Sequence, residues 1–132
     1  MKLIVCDASP LIVIAKTGLI PVLNRMADEV IVPKTVHSEA TIDLTLPGGE
    51  AIRAAIHLAH ALQCPVLMDE RRGRRAARRR GLTVIGSAGL LLQAKERGLI
   101  PALAPILERW RQSGYFLSAT LVKEVLERAG EA

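Results

Sequence analysis

Four aspartates occur in the 132 residues: Asp7, Asp28, Asp43 and Asp69. Asp7 and Asp69 each end a short apolar run, residues 3–6 and 66–68. A carboxylate at the end of a buried strand is costly to desolvate unless it is paired, hydrogen-bonded or metal-bound. Carboxylates converging on one crevice repel, and a divalent cation removes that penalty. Hard cations such as Mg²⁺ take oxygen ligands, typically one or two carboxylates with waters and substrate phosphate. Paired metals can then activate water and stabilise the leaving oxygen in phosphodiester cleavage. Each acid also has a plainer reading. Asp7, before Ser9 and Pro10, could cap the next helix, and Asp69 with Glu70 could start another, on the favourable end of its dipole.

Four short apolar runs, residues 3–6, 30–32, 66–68 and 83–85, predict buried strands. Between and after them the spacing predicts helices over 11–17, 33–39, 50–62, 71–80, 90–97, 101–112 and 120–129, with a further turn at 21–26. Pro33 suits a first helical turn, Gly18, Gly81 and Gly98 suit helix stops, and Ser118 suits an N-cap. Residues 45–49, with Pro47-Gly48-Gly49, form the clearest loop. Alternating strands and helices imply a mostly parallel sheet covered on both faces. The functional crevice of such a sheet lies at the carboxyl ends of its strands, where Asp7 and Asp69 fall. Glu39 lies one short helix beyond the second strand.

Half of the chain is apolar but only 2% is aromatic, so branched aliphatic residues must build the core. The length suits one domain over 1–132. Cys6 and Cys64 lie in apolar settings without metal spacing, which suits buried thiols in a reducing compartment. No segment approaches the roughly 20 apolar residues of a membrane span, and the start lacks a secretory pattern, so a cytoplasmic protein is expected. The net charge is +5, and seven arginines lie within residues 71–80. That balance favours a polyanionic partner, nucleic acid first. His57 and His60 could share a helix face, but two histidines without a closing ligand are weak as a metal site.

Several of these segments together resemble PIN domains. Val5-Cys6-Asp7-Ala8-Ser9-Pro10-Leu11-Ile12 is similar to the family's opening strand and first acid. Val32-Pro33-Lys34-Thr35-Val36-His37-Ser38-Glu39 is similar to its Pro-started helix ending in an acid. Gly49-Glu50-Ala51 resembles the third site, and the segment from Leu67 through Asp69-Glu70 to Ala77 the fourth. The run from Gly86 to Ile100, with Gln93-Ala94-Lys95-Glu96-Arg97-Gly98, resembles the tail of a small single-domain branch related to VapC-type toxins.

The resemblance covers nearly the whole chain and implies a three-layer α/β/α fold with a short, mostly parallel central sheet. It implies Asp7 and Asp69 as core metal ligands and Glu39 as a ligand or a water-orienting group. Glu50 is then the third acid, and Ser9 the hydroxyl supporting the first. The implied activity is Mg²⁺- or Mn²⁺-dependent hydrolysis of RNA, often by a toxin held by a cognate antitoxin. A homodimer is also expected. The basic run fits an RNA track, with Arg71, Arg72, Arg74 and Arg75 beside the acids. A solvated helix face, or pairing with Glu70, are its other readings. Two departures keep a non-catalytic, nucleic-acid-binding or regulatory PIN protein as the alternative. The stretch from Glu39 to Glu50 is shorter than usual, and Leu67 and Met68 stand where many members carry a hydroxyl. The segment from Trp110 to Phe116 holds all three aromatic residues, which suits core packing or an apolar docking patch.

Overall fold

The structure is a computed structural model that describes residues 1–33 and 48–132, with side chains described for 1–33 and 52–132. Its strands are β1 (Leu3–Cys6), β2 (Glu29–Ile31), β3 (Val66–Leu67) and β4 (Val84–Ile85). They form one parallel sheet in the order β2-β1-β3-β4. Seven helices lie among the described residues: α1 (Ala8–Lys16), α2 (Ile20–Met26), α3 (Gly48–Leu62), α4 (Arg71–Arg79), α5 (Ser87–Glu96), α6 (Ala104–Gln112) and α7 (Ala119–Arg128).

Successive strand residues point to opposite faces, and each face has its own core. Ile4, Cys6, Leu67 and Ile85 pack into the larger core beneath α1, α2, α5, α6 and α7. Val5, Val66, Met68 and Val84 pack into a smaller one beneath α3 and α4, with Ala55, Ile56, Ala59 and Ala77. This is the expected three-layer arrangement. Both cysteines are free and buried. No described helix is long and apolar enough to cross a membrane.

The helix boundaries differ in places from those the sequence suggests. Helix α3 begins at Gly48, so Gly48 and Gly49 form its first turn instead of a loop. Helix α5 begins at Ser87, three residues before its apolar run. Residues 20–26 form a full helix with Pro21 in its first turn, where a missing N–H costs nothing. Helix α6 starts at Ala104, later than Pro101, because Pro105 occupies its first turn. Ser118 caps α7, its Oγ accepting from Leu121 N at 3.1 Å. Gly81 and Gly98 follow α4 and α5 with φ of 77° and 74°, a left-handed backbone that favours glycine. The expected helix over 33–39, with Glu39, lies outside the described residues.

Candidate active site

The order β2-β1-β3-β4 reverses direction between β1 and β3. In open α/β sheets that switch point opens a crevice at the strands' carboxyl ends. The two acids follow these two strands. Cys6 pairs with Leu67 in register, and Asp7 N donates to Leu67 O at 3.0 Å. Asp7 therefore leaves β1 beside the place where β3 runs on to Asp69.

Asp7 is the N-cap residue of α1, with extended backbone, yet its side chain makes no capping hydrogen bond. It is 5% exposed, one of two buried polar residues in the described chain. The helix-cap reading thus fails for its carboxylate. Burial first, and the Asp7 charge second, push the neighbouring Cys6 thiol up to about 12. That thiol stays protonated near neutral pH and is no nucleophile.

Asp69 does not cap α4 either. Glu70 does, its Oε2 accepting from Gly73 N at 2.7 Å. Asp69 is instead held from across the crevice. Its Oδ1 accepts from Ser87 N at 2.7 Å and its Oδ2 from Ser87 Oγ at 2.6 Å. The Tyr115 hydroxyl also donates to Oδ2. Ser87, fully buried, opens α5 directly after β4, so the adjacent strand delivers it. Tyr115 reaches the acid from the turn after α6. Its ring stands edge-on to the buried Trp110, centroids 5.8 Å apart at 80°. Trp110 is core, and its indole N–H donates to Thr17 Oγ1 at 3.0 Å. Burial raises the Tyr115 pKa first, the Asp69 charge and hydrogen bond next, and the Asp7 charge last, so the phenol remains a donor facing both acids.

Arg74 completes the pocket. Its Nη1 donates to Met68 O at 3.2 Å, and its charge interacts with both Asp69 and Arg78. Burial is the larger influence and lowers its pKa. The guanidinium lies over Gly86, where a Cβ would stand 2.4 Å from Nη1 and 3.2 Å from Asp69 Oδ1. Glycine at 86 is what lets Arg74 approach Asp69.

The structure thus sets Asp7 and Asp69 just beyond the carboxyl ends of adjacent strands. Ser9 is exposed in the first turn of α1, on a small pocket that also reaches Tyr115. Glu39 lies outside the described residues. Glu50 lies in the first turn of α3, with its side chain outside the description. Among the described residues, no three His, Cys, Asp or Glu side chains group closely enough to hold a metal. His57 and His60 line different pockets. Arg71, Arg74, Arg75 and Arg78 share one groove with Asp69, whereas Arg72 does not line it. Helical spacing explains the difference, since positions 71, 74, 75 and 78 fall on one face.

Ser87, Tyr115, Gly86 and Arg78 are site residues that the sequence reading missed. Ser87 carried a readable signal, a hydroxyl two residues past a predicted strand. Tyr115 carried none, because only the packing of α6 brings it to Asp69.

A buried carboxylate without a capping role, beside a second at a switch point, is a hard-oxygen donor set. It fits a divalent cation. A PIN-domain family model (DUF3368) matches residues 3–57 and 42–131, nearly the whole chain in two overlapping segments. No curated protein and no solved structure gives a significant match. The two-segment match overlaps over residues 42–57, across most of the short stretch between Glu39 and Glu50. With the parallel sheet and its paired acids, it establishes that the chain belongs to the PIN-domain family.

Proposed function

We propose that this PIN domain is a divalent-metal-dependent endoribonuclease of the VapC-type toxin class. The observation that carries the reading is the pair Asp7 and Asp69 at the carboxyl ends of adjacent strands, with Asp7 buried and making no cap bond. PIN domains are generally nucleases, and the family fold supports the coarser statement directly.

Asp7 and Asp69 would hold Mg²⁺ or Mn²⁺, with Glu50 and Glu39 completing the set. When bound, the cation would polarise a phosphoryl oxygen and make water a competent nucleophile near neutral pH. The chain's own residues supply the rest. Ser87 and Tyr115 fix the Asp69 carboxylate in one orientation, as outer-shell donors commonly do for acidic ligands. Among the described residues Oδ1 accepts one hydrogen bond, from Ser87 N, so a lone pair remains for the crevice. Arg74, next to Asp69, offers a cation to a substrate phosphate that the acids would otherwise repel. Glu39 is placed in this reading as ligand or water-orienting group, and Ser9 as support for Asp7.

One observation favours a second reading, a PIN protein that binds nucleic acid without cleaving it. Asp69 already accepts three hydrogen bonds from Ser87 and Tyr115, which stabilise its charge without any cation. Calorimetric titration with Mn²⁺, alongside cleavage of a labelled single-stranded RNA, separates the two. The nuclease reading expects binding, cleavage with Mg²⁺ or Mn²⁺, and silence in chelator. Intact RNA under every divalent metal, with no heat of metal binding, establishes the second.

A further inference from the structure

Phe116 is 82% exposed, far more than Met1 at 37% or Leu62 at 39%, the other exposed large apolar residues among those described. An isolated exposed apolar residue is ordinary. What sets Phe116 apart is the opposite wall. It faces Arg71, Arg74, Arg75 and Arg78 across a groove of about 560 Å³ that Asp69 also lines.

The two walls have complementary chemistry. On the α4 side, the four guanidinium groups form one stripe that spans roughly 10 Å at 1.5 Å per residue. Arg71, Arg75 and Arg78 form no ion pair with any described residue. Their charge is therefore available to an anion. On the other side, Leu117 and Leu121 extend the apolar surface of Phe116. Successive phosphates need the first wall, and an unpaired base needs the second. A duplex meets only one of these demands, because its bases are already stacked inside. An acidic peptide would find the arginines but would leave the exposed ring without a planar partner.

We propose that this groove is the track of a single-stranded RNA, with phosphates along Arg71, Arg74, Arg75 and Arg78 and one base stacked on Phe116. The inference rests on the ribonuclease reading for the role of Asp69 beside the track. The strand's binding is separable from its cleavage. A strand lying there delivers a phosphodiester to the paired acids, and the stacked base sets its register. Phe116 is then a positioning residue.

The test uses the full chain carrying Asp7→Asn, in chelator, so that no cleavage intervenes. Three probes are compared by fluorescence anisotropy and competition: a labelled single-stranded RNA, its blunt duplex, and inorganic polyphosphate as a polyanion without bases. Phe116→Ala is expected to weaken single-strand binding roughly 5- to 150-fold, while duplex and polyphosphate binding hold. Phe116→Trp should restore it. Arg75→Gln with Arg78→Gln should weaken all three probes and reduce the log–log salt slope for the single strand by about 1.4. The exposure of Phe116 makes its variants safe for folding, which a thermal melt checks.

Unchanged single-strand affinity in Phe116→Ala overturns the proposal. So does an equal loss for all three probes, or wild-type-like preference for the duplex. Loss of self-association by Phe116→Ala, with RNA binding intact, would assign the surface to protein contact and equally overturn it. A protein that shows the expected binding pattern but cleaves nothing would leave the track standing and remove the nuclease reading alone.

Discussion

The Tyr115 hydroxyl and the Ser87 hydroxyl donate to the same oxygen of Asp69, Oδ2, although Tyr115 lies 46 residues from the acid in sequence. Two separate elements, the turn after α6 and the start of α5, thus converge on one carboxylate. Each contact removes freedom from Asp69, and together they leave Oδ1 as its more open atom. Tyr115→Phe keeps the edge-on contact with Trp110 and deletes only the hydroxyl. On the proposed reading, Mn²⁺ affinity by calorimetry falls about tenfold, as for other lost outer-shell donors. Ser87→Ala should act in the same direction. Unchanged metal affinity in both variants would make the two contacts structural only.

Gly86→Ala tests the approach of Arg74 to Asp69. The new Cβ would stand 2.4 Å from Arg74 Nη1, so the guanidinium must move. The obstructed atom ends a flexible side chain, and the cost to stability should stay near 1 kcal/mol, the low end for overpacking. Cleavage and RNA binding should fall more than stability does. Gly73→Ala is the contrast. Its Cβ would meet Met68 Sδ at 2.4 Å and Ile52 Cγ2 at 3.0 Å, inside the smaller core. That variant should lose about 1–3 kcal/mol in denaturant unfolding. Equal losses at the two positions would contradict this account.

The sheet and its paired acids were legible because they depend on local patterns. Short apolar runs followed by an acid need no tertiary information to be seen. Ile4 and Val5 show why the runs are continuously apolar, since one points into each core. The start of α5 was misplaced because Gly86 offers no capping side chain, so the apolar residues from Leu90 gave the nearest visible signal. The arginine stripe was partly legible. Its position beside Asp69 followed from sequence, but the choice of Arg78 over Arg72 is a matter of helix phase. Tyr115 and Trp110 were beyond local reading. Their sequence suited a docking patch as well as a core, and only the packing of α6 against Thr17 and the larger core buries Trp110 and leaves Phe116 outside.

A pH prediction concerns the C-terminal end. Glu131 accepts from Leu103 N at 2.8 Å and Ala104 N at 2.9 Å, and pairs with Lys95 at 3.0 Å. The two backbone donors hold its carboxyl below its ordinary 4.5, with Lys95 adding to the effect. A carboxyl that titrates lower when folded contributes its stabilisation above pH 4.5 and loses it as the pH falls further. Glu131→Gln should therefore lower the melting temperature at pH 7, and the difference from wild type should shrink below pH 4.5. A constant difference from pH 7 to pH 3 would show that charge at Glu131 is irrelevant.

Asp7→Asn carries the functional claim. Asn keeps the size of the side chain and one oxygen, and it removes the negative charge that would hold a cation. Had Asp7 been a helix cap, Asn would cap about as well, and nothing measurable would change. The absence of a cap bond already argues against that role. Asp7 is buried, and its charge reaches Cys6 and Tyr115, so removing it takes a desolvated charge out of the crevice. The variant should fold and melt at the same temperature as wild type or higher in chelator. It should show no cleavage of single-stranded RNA with Mg²⁺ or Mn²⁺, while retaining the salt-dependent RNA binding that the arginine stripe supplies. Cleavage at the wild-type rate would remove Asp7 from the site. A strongly destabilised variant would show that its carboxylate holds the fold together instead of serving the crevice.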